Sequence, residues 1–172
     1  MKHSIAIKGF PRNKDKFIRL IEFFKEVLDI CYSLNITPIV DGGLAVFVYT
    51  KNRDMVINDI DVGFPETEYP RMIKALDEKR ISHKLREWHV LQVVRENLRI
   101  ELGSVEYWYK DLPVECETLQ IDNYKVKMLN LVCLKELYQR GIKYFANSEL
   151  EADKPRFETY KAKYEMLEKI EE

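Results

Sequence analysis

Two aspartates one residue apart, Asp59 and Asp61, stand in the run Asn58-Asp59-Ile60-Asp61-Val62-Gly63-Phe64. Alternate side chains of a strand share a face, so this spacing aims both carboxylates one way and turns Ile60, Val62 and Phe64 into a core. Like charges at such range repel, and each drives the other's pKa upward unless a cation lies between them. A hard divalent ion resolves that conflict, and Mg2+ commonly takes one or two carboxylates together with a substrate's phosphates. Upstream, a strand-like run (Thr37 to Val40) meets Gly42-Gly43 and then a helix-like run (Leu44 to Tyr49). Glycines at such a junction let backbone N–H groups approach an anion, and the helix N-terminus adds favourable partial charge. Each motif alone has a bland alternative, an exposed Asp-x-Asp or a plain tight turn. Together they predict a phosphate cradle beside a metal cradle.

Metal-assisted phosphoryl chemistry calls for a further carboxylate, to complete a metal shell or to take a proton from an attacking hydroxyl. The run Leu98-Arg99-Ile100-Glu101-Leu102-Gly103 alternates, placing Leu98, Ile100 and Leu102 on one face and Glu101 on the other. Glu101 thus repeats the arrangement of the two aspartates. It is preferred to Glu106, Asp111, Glu115 and Glu117, which lie beyond the strand in a more polar segment. Glu106 is the substitute if the register is shifted.

At these residues the chain resembles the nucleotidyltransferase superfamily of the polymerase-beta type, above all the small aminoglycoside and lincosamide nucleotidyltransferases and the minimal nucleotidyltransferases. Gly42-Gly43-Leu44-Ala45 looks like that family's helix-opening glycine motif. Asp59-Ile60-Asp61-Val62-Gly63-Phe64-Pro65 looks like its Asp-x-Asp strand, and Ile100-Glu101-Leu102 like its third acid. The likeness spans roughly residues 36 to 103. It implies that Asp59 and Asp61 bind Mg2+, that Glu101 joins a second metal or acts as general base, and that Gly42-Gly43 hold a triphosphate. Three departures are visible: the second glycine replaces a frequent serine, the gap from Gly43 to Asp59 is long, and the third acid is Glu instead of Asp.

These residues need a scaffold. At 172 residues, with 46% apolar and 33% charged residues, the chain suits one globular domain with a real core. The expected fold is α+β, a nucleotidyltransferase-like mixed β-sheet with helices on one side and a helical C-terminal subregion. Residues 1–128 would form the helix-plus-sheet core and residues 129–172 the C-terminal helices. A net charge of −1 excludes a uniformly basic nucleic-acid platform but leaves room for a local patch. No apolar run approaches the ~20 residues of a membrane span. Met1-Lys2-His3-Ser4 opens without a signal-peptide apolar stretch, so a cytoplasmic location is expected. Cys31, Cys116 and Cys133 lack Cys-x-x-Cys spacing; Cys31 on a helical apolar stripe and Cys133 inside another helix read as buried free thiols. His3, His83 and His89 form no ligand pair, which disfavours a zinc enzyme or a Ser/Cys hydrolase.

Phe17, Leu20, Ile21, Phe24, Val27, Leu28 and Cys31 recur at helical spacing and predict a helix from about Asp15 to Leu34. Lys8, Arg12, Lys14 and Lys16 precede or open it and read as a solvated end. Thr67 is a candidate N-cap for a helix to about Lys79, with Pro70 in its first turn. Strands follow at Ser82 to Glu87, Val90 to Arg95 and Leu98 to Leu102, the last two pairing around Glu96-Asn97. Leu119 to Ile121 and Lys125 to Met128 make a second hairpin. Helical spacing returns from Asn130 to about Gly141, then with Phe157, Tyr160, Tyr164 and Leu167 in a last helix begun by Ser148 or Asp153, with Pro155 in its first turn.

A triphosphate also needs cations. Arg53 leads into the Asp-x-Asp strand, while Lys154, Arg156 and Lys161 open the last helix; Arg53, Lys154 and Lys161 are the candidates for nucleotide binding. Trp88, Tyr107, Trp108 and Tyr109 are available to stack on a base or an acceptor ring, although core packing is the commoner fate of such residues. The leading expectation is a Mg2+-dependent transfer of a nucleoside monophosphate from an NTP, ATP first among them, to an acceptor hydroxyl. That hydroxyl belongs to a small molecule, an RNA end or a protein. The alternatives are an inactive member of the fold serving as a regulatory or antitoxin-like interaction module, and a glycosyltransferase using Asp-x-Asp for a metal-bound nucleotide sugar.

Overall fold

The computed structural model describes residues 3–170; Met1 and Lys2, read above as part of the opening segment, lie outside them, as do Glu171 and Glu172. In chain order the elements are β1 (Ile5–Ala6), α1 (Lys14–Ser33), β2 (Ile39–Val40), α2 (Gly42–Thr50), β3 (Asp59–Phe64), α3 (Tyr69–Glu78) and β4 (Ser82–Arg86). There follow β5 (Val90–Arg95), β6 (Leu98–Ser104), the short α4 (Val105–Trp108), β7 (Cys116–Ile121), β8 (Tyr124–Leu129), α5 (Leu131–Ala146) and α6 (Lys154–Glu168). The strands form one mixed sheet in the order β1-β7-β8-β2-β3-β6-β5-β4, the α+β arrangement expected from the sequence.

Register at the centre of this sheet positions the chemistry. β3 and β6 run parallel with Asp61 opposite Glu101, Asp59 opposite Arg99 and Gly63 opposite Gly103. β5 is antiparallel to β6 and sets Gln92 opposite Glu101. One face of these strands is apolar: Ile60, Ile100, Leu102, Leu91 and Val93 are fully or almost fully buried. Against that face lies α1, whose Phe17, Leu20, Phe24, Val27 and Leu28 are buried, with α3 beside it through Met72 and Leu76. The other face carries the acids.

Most expected elements are present, with shifted ends. β2 is shorter than the run from Thr37, and α2 takes both glycines into its first turn. Glu66–Glu68 form a turn of 3-10 helix, so α3 starts at Tyr69 with Pro70 in its first turn, not at a Thr67 cap. Both hairpins are confirmed, their turns using left-handed Glu96 and Asp122. α5 runs on past Gly141 to Ala146. Two elements were not anticipated. β1 has only two residues, too few for a pattern, and α4 follows a Ser104 cap whose Oγ accepts from the Tyr107 N–H at 3.2 Å.

Gly141 explains how α5 and α6 come together. A Cβ there would lie 2.5 Å from the Tyr160 ring, which itself packs against Tyr138 and Phe145 at centroid separations of 5.1 and 5.2 Å. A Gly141→Val substitution is therefore expected to cost about 1–3 kcal/mol by overpacking, lowering the melting temperature by several degrees. An unchanged melting curve would contradict this account of the helix pair.

Candidate active site

The site is built around Asp61. Its Cβ and Cγ lie within 2.9 Å of where a Cβ on Gly42 would stand, and Gly42 has φ +58°. Both facts demand glycine: no side chain fits, and the left-handed backbone would strain one. The preceding residue, Asp41, donates its N–H to the Asp61 carbonyl at 3.1 Å, which locks the start of α2 to β3. Thus the glycine motif and the Asp-x-Asp strand touch directly.

Asp41 belongs to the same buried cluster, and sequence pattern does not single it out. It is 9% exposed, and its Oδ2 accepts a hydrogen bond from the Tyr109 hydroxyl. The Tyr109 ring lies over Gly63, where a Cβ would sit 2.6 Å from its oxygen, while Trp108 lies over Gly103 at 3.3 Å. Two glycines side by side on the acid-bearing face thus leave space for two aromatic rings. The one signal for Asp41 is its position at a strand end immediately before the glycine pair, but nothing in the sequence marks it as buried.

Charge is concentrated here with one sign. Burial, Asp59, Asp41 and Glu101 all push the Asp61 carboxyl well above its ordinary 3.8, and the Lys163 ammonium pulls it down. Burial raises Asp41 to about 6, against the lowering effect of the Tyr109 hydroxyl. Tyr138 and Tyr160 also feel the field of these acids, beyond the burial that chiefly raises them, so the α5–α6 pair faces the same region. A divalent cation with bound phosphates is the chemistry such a donor set suits, since Mg2+ needs only one or two protein carboxylates.

The three acids expected from the sequence share one strand face, as their register shows, but they do not form a closed ligand shell. Among the described residues no three His, Cys, Asp or Glu side chains come close enough to cage a metal ion unaided. Asp59 pairs with Arg99 at 3.6 Å. Glu101 Oε1 accepts from Gln92 Nε2 at 2.8 Å. Register brings these partners onto the acids, so the expected three-carboxylate metal set stands as a neighbourhood rather than a cage. Glu106, the substitute acid, is placed elsewhere: its Oε2 accepts from the Glu66 N–H at 2.8 Å and from Ser104 Oγ at 3.2 Å.

The structure separates the expected cations. Lys154 is exposed and pairs with Glu151 at 2.7 Å. Lys161 lines a groove between α5 and α6 with Gln139, Phe157 and Tyr164. Arg53 packs over Gly9, at the approach to α1. Lys163 is the ammonium at the acids, its Nζ 3.3 Å from where a Cβ on Gly43 would be. Helix periodicity explains the miss: residues 161 and 163 are about 200° apart around α6. Lys163 instead follows Tyr160 by three residues and so shares its face. Of the aromatics, Tyr109 is buried, whereas Trp88, Tyr107 and Trp108 are exposed.

No protein-family model matches the sequence, and no curated protein matches it significantly. Solved structures do. ANT(2")-Ia in complex with adenylyl-2"-tobramycin superposes with a TM-score of 0.60 at 12% identity, over 86% of each chain. An antigenic nucleotidyltransferase-like protein from Paracoccidioides brasiliensis gives 0.59 at 13% identity, over 86% of this chain and 74% of that one. The lincosamide antibiotic adenylyltransferase LnuA, bound to lincomycin, gives 0.50 at 14% identity, over 87% and 97%. The chain has the nucleotidyltransferase fold.

The charge crowding sets a pH dependence for the metal-free protein. Asp41 and Asp61 both bind their protons more tightly when folded, so both contribute fully below pH 3.8; the Asp41 contribution is lost as the pH rises through about 6, and that of Asp61 is lost in the same direction. Moving the Asp41 pKa from 3.8 to about 6 corresponds to about 3 kcal/mol. Thermal melts in EDTA should therefore show stability falling from pH 4 to 7, and Asp61→Asn should melt higher than the parent at pH 7. A lower melting point for Asp61→Asn would refute the crowding argument.

Proposed function

We propose that this protein is a Mg2+-dependent nucleotidyltransferase that moves a nucleoside monophosphate from an NTP, ATP in the first instance, to an acceptor hydroxyl. The observation that carries the reading is the direct contact of the Gly42 turn with Asp61, in register with Glu101. The adenylyl and adenylyltransferase descriptions of two structural neighbours support ATP as donor.

In this reading the acceptor oxygen forms a bond to the α-phosphorus, the bridging bond to the β-phosphate breaks, and pyrophosphate leaves with the electron pair. Mg2+, when bound, would neutralise phosphate charge and lower the hydroxyl's pKa. Asp59 and Asp61 would hold it. The Gly42-Gly43 backbone would receive the triphosphate at the start of α2, with Lys163 beside it. Glu101 would take the acceptor's proton on Oε2 while Gln92 steadies Oε1.

A second reading has one observation in its favour. Arg99 on Asp59 and Gln92 on Glu101 occupy two of the acids, as in a fold member kept for regulatory or antitoxin-like contacts. Activity separates the two. Incubation with labelled NTP, Mg2+ and candidate acceptors should transfer label in the parent protein. Glu101→Gln should lose about 10²–10⁴-fold in kcat, and Lys163→Met should raise the KM for NTP about tenfold or more. Absence of transfer to every acceptor, with nucleotide binding unaltered by Asp59→Asn, would favour the regulatory module.

A further inference from the structure

β4 ends the eight-stranded sheet and has β5 on one side only. The opposite end is β1, two residues long. β4 is a regular strand of five residues in unbroken register with β5, and its Ser82, Lys84, Leu85 and Arg86 are exposed. An edge strand turns alternate N–H and C=O groups away from the sheet, and those groups are a template for one more strand.

The side chains of β4 divide by face. Ser82, Lys84 and Arg86 share the face of the acids, since register carries Lys84 through Gln92 to Glu101 and Asp61. His83 and Leu85 lie on the other face, where His83 Nε2 is 2.7 Å from Asp77 Oδ1 and Leu85 is 59% exposed. Residues 79–86 hold Lys79, Arg80, Lys84 and Arg86 and no carboxylate, in a chain of net charge −1. Among the described residues no carboxylate lies in ion-pair range of Lys84 or Arg86.

Cations on an edge guard it against copies of the same chain. Here a second β4, laid antiparallel and centred on Lys84, sets Lys84 against Lys84; centred on Leu85, it sets Lys84 against Arg86. Like charges directly opposite destabilise both pairings. That guard does not act against an acidic strand, and it leaves the exposed Leu85 unexplained. We propose that the β4 edge takes an extended acidic segment of a partner protein as a ninth strand. Carboxylates at alternate positions meet Lys84 and Arg86 on one face, and the apolar residue between them covers Leu85 on the other. The added strand lies four strand spacings from β3, roughly 19 Å, so its binding does not rest on the transfer reaction proposed above.

The test is titration of the full chain, in EDTA and without NTP, with a fluorescent peptide of sequence Thr-Glu-Val-Glu-Val-Glu-Thr, capped at both ends. Lys84→Glu combined with Arg86→Glu should weaken binding about 25-fold or more, at about fivefold for each opposite-charge pair lost. The same peptide with lysine for glutamate should then bind the reversed protein and not the parent, which shows that the variant is folded. Proline in place of both valines keeps the peptide's charge but cannot donate to a ladder, and should weaken binding about tenfold or more. With peptide at about ten times its Kd, alternate β4 amides should exchange hydrogen about tenfold more slowly. Absence of binding, equal binding of the proline peptide, affinity unmoved by the charge reversals, or no protection in β4 would overturn the proposal. Tighter binding of a single-stranded oligoadenylate at Lys84 and Arg86 would overturn it in favour of a polyanion site. A dimer in sedimentation that Leu85→Asp separates would overturn it in favour of a second copy.

Discussion

Asp61 sits where three other carboxylates raise its pKa, with Asp59 two residues along its own strand, Asp41 at the head of α2 and Glu101 opposite it in the sheet. Against them stands the ammonium of Lys163 from the last helix. A protein selected for stability alone would not crowd like charges this way, because each raises the free energy of the others' ionised forms. Sites that bind cations and phosphates keep such crowding at the expense of the apo fold. The rest of the structure is arranged to hold that crowding in place.

The holding is done mostly by glycines and backbone. Gly42 lets α2 start against the Asp61 side chain, and the Asp41 N–H ties that start to the Asp61 carbonyl. Gly63 and Gly103, paired across β3 and β6, admit Tyr109 and Trp108 over the strands. Tyr109 then supplies the hydroxyl that keeps the buried Asp41 carboxylate bonded, which matters because a buried polar group without a partner costs about 1–3 kcal/mol. On the opposite face, α1 and α3 bury the apolar side chains of the same strands. One sheet thus has a face packed by helices through apolar side chains and a face that carries the acids.

Superposition at 12–14% identity shows how little of the sequence the fold consumes. What it requires is alternation in β3 and β6, glycine at positions of close approach, and apolar stripes on the covering helices. These are constraints on residue type, and many sequences meet them. The partners held by Asp59 and Glu101, Arg99 and Gln92, come into place through strand register alone.

Local pattern is enough to read the amphipathic first helix, both hairpins, the Asp-x-Asp strand, the glycine motif and the shared face of Asp59, Asp61 and Glu101. Each depends on periods of 2 or 3.6 residues, which are written along the chain. Helix ends and the two-residue β1 are not legible, since few local residues specify them. Nor are Asp41 and Lys163: burial of the first depends on Tyr109, distant in sequence, and the choice of Lys163 over Lys161 depends on which face of α6 meets α2. Nor does local pattern show that Asn13, among the basic residues that open α1, bonds to Ile57, since only folding brings the two together. Side-chain type and alternation belong to neighbouring residues, so the chain's primary structure already names the groups capable of chemistry. Distances between remote segments come from packing, so which of those groups meet is fixed only once the helices close on the sheet.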